Sequence, residues 1–180
     1  MGEVPGAGPH QRRHRGSGRA RRRVGSHRHT RHDARPRLAT AVVILLDTHV
    51  LVWLVAGSDR LGQRSRRAIQ EAWDDGVAAV SSFTFWELAM LHARGRLELD
   101  LPPRSLHRSL LADGLLVLPV GDEVAIRAAE LAAEEPLSDP ADCIICATAL
   151  VGGYSLATAD RRITAWAGRS RLVATLDPTT

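Results

Sequence analysis

The chain has 180 residues, 44% of them hydrophobic, enough for one ordinary domain with a real core. Its formal charge of +4 is unevenly split: residues 1–40 hold 11 Arg against Glu3 and Asp33, a net of +9, while residues 41–180 hold 13 Arg against 18 acids, a net of −5. The basic character therefore belongs to the amino-terminal segment, which excludes reading the rest as a basic nucleic-acid binder. Two cysteines only three positions apart exclude a disulfide framework.

Residues 1–40 are rich in Arg, Gly and His and show no apolar periodicity. Such a segment buries too little surface to offset its ordering entropy and is expected to be disordered. It reads either as an arm that grips nucleic-acid phosphates or as an overlong start translated from high-GC DNA. The dominance of Arg, Gly, Pro and Ala favours the second, with the protein proper beginning near Val42 or Val43. The domain division expected is thus a tail at 1–40 and a folded domain at 41–180.

From Val42 onward, strand and helix patterns alternate. Val42-Val43-Ile44-Leu45-Leu46 is a short apolar run of the kind found in buried parallel strands, and it leads straight into Asp47. The wider apolar stretch 42–57 is broken by Asp47 and His49 and is shorter than the ~20 residues a membrane span needs. No membrane span is expected, and a cytoplasmic location fits the free cysteines. A short helix should follow Asp47 and end at Gly57. An amphipathic helix is expected over 61–74, with Leu61, Ala68, Ile69 and Trp73 inward and Arg64, Arg66 and Arg67 outward.

A second strand is expected at 77–80, with Ser81 and Ser82 offering an N-cap to a helix over 83–93. Pro102 and Pro103 open a further helix ending at Gly114, with Leu106, Leu110 and Leu111 along it. A third strand lies at 115–118, followed by a helix capped by Asp122 and running to Glu135. Asp139-Pro140 opens another helix through Leu150. A fourth strand is expected at 154–158 and an edge strand at 172–174. This alternation implies an α/β fold with a parallel sheet and helices on both faces.

Four acids stand out. Asp47 and Asp160 follow strands one and four, Asp142 lies in the first turn of a helix, and Glu87 sits inside the apolar run Phe83-Thr84-Phe85-Trp86-Glu87-Leu88-Ala89. A carboxylate amid that much hydrocarbon needs a partner or a cation. Converging carboxylates repel one another, and a divalent cation relieves the repulsion. Oxygen donors without clustered His or Cys suit Mg²⁺ or Mn²⁺ better than Zn²⁺. Such a centre supports hydrolysis of a phosphodiester. Each acid also has a structural reading: Asp139 and Asp142 as first-turn acids, Asp160 as a helix cap.

Four stretches resemble, in order, the motifs of PIN-domain ribonucleases, and above all the VapC toxins of type II toxin–antitoxin modules. They are Leu45-Leu46-Asp47-Thr48-His49; Ser81 to Leu97 with Trp86-Glu87-Leu88-Ala89; Asp139-Pro140-Ala141-Asp142 with Ile145-Cys146-Ala147-Thr148-Ala149; and Ala157-Thr158-Ala159-Asp160-Arg161. The resemblance covers residues 43–176. It implies a PIN-like three-layer α/β/α fold around a four- to five-stranded parallel sheet, and an endoribonuclease dependent on Mg²⁺ or Mn²⁺. It also implies an RNA substrate, homodimerisation and inhibition by a VapB-type antitoxin. The family's metal-binding and catalytic acids fall on Asp47, Glu87, Asp142 and Asp160, and its hydroxyl position on Thr158. Arg94, Arg96, Arg161 and Arg162 are candidate phosphate-steering residues, ordinary solvated surface being the alternative.

Two positions depart from the family pattern: Leu137 stands where a His is usual, and Cys143 where an Arg is usual. A PIN nuclease of RNA processing outside toxin–antitoxin systems, and a catalytically silent PIN scaffold, are the alternatives. A phosphoacceptor signalling domain is disfavoured because the chain has no lysine. Cys143 and Cys146 read as two small core residues, and Trp53, Trp73, Trp86 and Trp166 as packing groups.

Overall fold

The computed structural model describes residues 42–133, 137, 139–170 and 175–180, so the amino-terminal tail and the strand expected at 172–174 lie outside the described residues. Five strands form one parallel sheet: β1 (Ile44–Leu46), β2 (Ala78–Ser81), β3 (Leu116–Leu118), β4 (Ser155–Ala157) and β5 (Thr175–Leu176), in the order β3-β2-β1-β4-β5. Seven described helices connect them: α1 (Thr48–Val55) and α2 (Gln63–Asp74), α3 (Ser82–Ala93) and α4 (Pro103–Ala112), α5 (Asp122–Ala132) and α6 (Pro140–Gly152), then α7 (Arg161–Ser170).

The strand order fixes where a site can form. From β1 the chain moves outward to β2 and β3, then crosses back over the sheet to β4 on the other side of β1. Right-handed crossovers in opposite directions put the connecting helices on opposite faces. The direction reverses between β1 and β4, which opens a crevice at their carboxyl ends. Leu46 pairs with Ala157 as the last register pair there, and the Asp47 N–H donates to Ala157 O at 3.0 Å. Asp47 and Thr158 are therefore the first residues beyond the paired strands.

The core explains why the sequence folds this way. Leu45, Leu46, Ala79, Val80, Leu156 and Ala157 are almost wholly buried at the centre of the sheet, as expected for strands covered on both faces. Helix α6 buries Cys143, Ile145, Cys146, Ala147, Thr148 and Ala149, so it is enclosed on most sides rather than amphipathic. Both thiols are free and buried, matching their reading as core residues. Gly153 ends α6 with φ 66, a left-handed turn that a side chain would strain, and feeds the chain into β4. Ser81 caps α3 by accepting from Phe83 N–H, and Asp139 caps α6 by accepting from Ala141 N–H.

Some local expectations shift. The cap of α5 is Gly121; Asp122 is its first helical residue, with Oδ1 accepting from Glu123 N–H at 3.0 Å. That helix runs to Ala132, where the Ala133 N–H closes the last turn on Glu130 O; the end expected at Glu135 lies outside the described residues. In α2 the buried positions are Ser65, Ile69 and Ala72, with Trp73 half-buried. Leu106 and Leu110 of α4 are core, whereas Leu111 is exposed. Trp166 is buried, but Trp86 is 56% exposed and lies outside the core. A chain that places Glu87 against the site must turn the neighbouring Trp86 about 100° away around the helix.

Candidate active site

Asp47 is the N-terminal flank of α1 and is 4% exposed. Two donors hold its Oδ2: the Thr158 hydroxyl at 2.6 Å and, at 3.3 Å, His49 Nδ1. Thr158 also accepts from the Asp160 N–H at 3.0 Å, so one buried hydroxyl ties the first acid to the backbone of the fourth.

His49 makes a second tie. Its Nε2 accepts from the Ala159 N–H at 3.0 Å, and its ring meets Trp53 edge-on at 4.9 Å. An acceptor Nε2 requires the neutral ring protonated on Nδ1, the tautomer that donates to Asp47. Burial opposes a charge on His49, but the hydrogen bond to Asp47 and the negative field of Asp47, Asp160 and Asp142 outweigh it, so its pKa is raised above 6.5. The motif reading had included His49 without giving it a role. Its partner lies 110 residues away, and no local pattern signals such a contact.

The other acids approach from three helices. Glu87, in the middle of α3, has its pKa raised by burial and by Asp47 and Asp139; a hydrogen bond from Thr48 and the charge of His49 pull the other way. The Thr48 hydroxyl also lies 3.5 Å from that of Thr84. Asp142, in the first turn of α6, is pushed up to about 7 by burial, then by Asp139, Asp160, Asp47 and Glu87. Asp160 is the cap of α7, its Oδ1 accepting from Arg162 N–H at 2.6 Å and Ile163 N–H at 3.3 Å. Asp142 thus feels the charges of Asp139, Asp160, Asp47 and Glu87.

Among the described residues, no group of three or more His, Cys, Asp or Glu side chains is placed to hold a metal ion. The donor set nevertheless fits a divalent cation, since it is all oxygen and strained by its own charge. Arg161 opens α7 beside Asp160 and is exposed. Arg94 and Arg96 are exposed beyond the end of α3; Arg94 is seven residues past Glu87, about 10 Å along the helix axis. The departures from the family pattern are both apolar and buried, with the Cys143 thiol directed at Leu137 O at 3.7 Å.

Residues 44–168 match the PIN domain family. Ribonuclease VapC22 of Mycobacterium tuberculosis is 38% identical over 120 residues, covering 67% of this chain and 88% of that protein. The DNA-bound VapBC of Salmonella typhimurium resembles the fold with a TM-score of 0.55 at 20% identity, covering 76% of this chain and 98% of that one. A toxin–antitoxin complex from Klebsiella pneumoniae does so with a TM-score of 0.52 at 22% identity, covering 75% and 97%. No helix among the described residues is long and apolar enough to cross a membrane.

Proposed function

Because the chain belongs to the PIN domain family, we propose that it is a divalent-cation-dependent endoribonuclease and the toxin of a VapBC-type module. The observation that carries this reading is the 38% identity to a ribonuclease along 88% of that protein's length. The crowding of Asp47, Glu87, Asp142 and Asp160 at the β1–β4 crevice supports it. These four residues would hold Mg²⁺ or Mn²⁺. When bound, such a cation polarises a phosphoryl oxygen and acidifies a water nucleophile. The chain's own groups do the rest. Thr158 and His49 fix the Asp47 carboxylate through its Oδ2, and the crevice receives the scissile phosphodiester. Water loses a proton and attacks phosphorus in line; the P–O3′ bond breaks, the departing O3′ takes up a proton to become the 3′ hydroxyl, and the downstream strand keeps a 5′ phosphate. Arg161, and more remotely Arg94 and Arg96, steer the RNA backbone.

The toxin–antitoxin complexes among the fold neighbours support a VapB-type antitoxin as partner. A homodimer acting in the cytoplasm completes the reading. One observation favours a second reading, a PIN scaffold without activity: Leu137 and Cys143 are apolar and buried, at the two positions where the sequence departs from the usual His and Arg of the family pattern. Sequencing RNA ends after induced expression separates the two. The intact chain yields new 5′-phosphate ends at defined positions and Asp142→Asn yields none. An intact chain that creates no new ends removes the nuclease reading.

A further inference from the structure

Helix α3 carries a partly exposed stripe that the acid centre does not use: Trp86 and Arg94 are exposed, Phe83 and Met90 half-buried. Phe83, Trp86, Met90 and Arg94 recur at intervals of three and four residues and therefore share one side of the helix. Phe83 and Trp86 are stacked, ring centroids 4.9 Å apart and planes 27° off parallel. Only one face of the indole is covered in this way, and 56% of the residue remains exposed. The opposite side of α3 is accounted for: Thr84 and Leu88 are buried in the core, and Phe85 meets His107 of α4 edge-on at 4.6 Å. A large aromatic left open on the helix that carries Glu87 is informative in a way that a scattered surface leucine is not.

The stripe borders Glu87. Four residues separate Phe83 from Glu87, so Phe83 lies one turn away and about 40° round the helix from the acid. Phe83 is in the first turn of α3, next to Ser81 at the carboxyl edge of the sheet where Asp47 lies. Arg94 closes the far end of the stripe with an exposed guanidinium. An aromatic pair, then a thioether, then a cation, alongside an acid centre for phosphodiester hydrolysis, fits a single strand of RNA. Its phosphate sits at the acids, one unpaired base stacks on the indole, and its backbone passes the arginine.

We propose that Trp86, backed by Phe83, is a stacking platform for an unpaired nucleobase next to the scissile phosphate. This rests on the ribonuclease reading and adds to it a subsite for single-stranded substrate. The platform is blind to hydrogen-bonding edges, so it selects unpaired over paired bases and not one base over another.

The test compares a fluorescent oligouridylate with its abasic counterpart, binding full-length chain in EDTA by anisotropy. Both oligomers carry the same phosphates, so the Arg-rich tail contributes equally and the affinity ratio isolates the base. Wild type should favour oligouridylate. Trp86→Ala should lose that preference, with oligouridylate binding weakened on the order of ten- to a hundredfold. Trp86→Phe should keep most of it, and thermal unfolding should show both variants folded. Trp86→Ala with the wild-type ratio would overturn the platform and leave the nuclease reading intact. A Trp86→Ala that breaks a dimer but keeps the ratio would also overturn it, assigning the stripe to a second copy of the chain. A wild type that neither binds oligouridylate nor cleaves RNA overturns the nuclease reading and the platform with it.

Discussion

Replacing Thr158 with valine removes one hydroxyl and nothing of the side chain's shape. Thr158 is 2% exposed and its partner Asp47 4%, so water does not replace what is lost. The 2.6 Å bond to Asp47 and the 3.0 Å bond from the Asp160 N–H both disappear. A buried hydrogen bond to a charged group is worth roughly 1.5–3 kcal/mol and a neutral one about 1 kcal/mol, so about 3 kcal/mol is at stake. At roughly 3 °C per kcal/mol for a domain of this length, the unfolding midpoint should fall by about 9 °C. Calorimetry in EDTA at neutral pH, where no cation compensates, measures this directly. Thr158→Ser keeps the hydroxyl and should recover most of the loss. Thr164→Val, which removes an exposed bond to Asp160 O, should change stability by less than about 0.5 kcal/mol. A Thr158→Val midpoint within about 2 °C of wild type would refute the idea that this hydroxyl holds the site together.

The remaining expectations concern the same centre and the core beneath it. Asp142 has its pKa at about 7 in the fold against an ordinary 3.8. The folded chain therefore keeps a proton that the unfolded chain has lost, and stability falls as pH rises through that window. Urea titrations in EDTA should show the decline, and Asp142→Asn should flatten it; a stability that climbs with pH over this range contradicts the assignment. Divalent-cation affinity should rise over the same interval, because the ion competes with the proton. The His49 ring nitrogens should report a neutral Nδ1–H form by ¹⁵N NMR at alkaline pH, and an Nε2–H form would be incompatible with the Ala159 hydrogen bond. Leu45→Ala, at a fully buried position of β1, should cost about 2–5 kcal/mol in chemical denaturation.

Periodicity and glycine placement made the order of elements legible. Of the apolar run expected as a strand at 42–46, only Ile44–Leu46 forms β1, and Val42 is exposed; a fully covered strand needs apolar residues on both faces. Asp47, Glu87, Asp142 and Asp160 stand out in the sequence because acids at strand ends and within apolar helices conflict with their surroundings. What they do locally was less visible. Asp160 is a helix cap as well as a member of the cluster, and a sequence pattern cannot divide one carboxylate between two roles. The contacts of Thr158 with Asp47 and of Ala159 with His49 span more than a hundred residues and follow from the β1–β4 register alone. Trp86 was misjudged for a related reason. Its neighbours in sequence are apolar, but a helix separates neighbours by about 100°, and Trp86 falls on the open side.

The central claim is that Asp47 serves a cation-dependent cleavage of RNA. Purified wild type and Asp47→Asn, both shown folded by circular dichroism, should be assayed on RNA with Mg²⁺ or Mn²⁺ and with EDTA. The account predicts cleavage by wild type only when the cation is present, and none by Asp47→Asn. Cleavage by Asp47→Asn at the wild-type rate, or wild-type cleavage undiminished in EDTA, would contradict it.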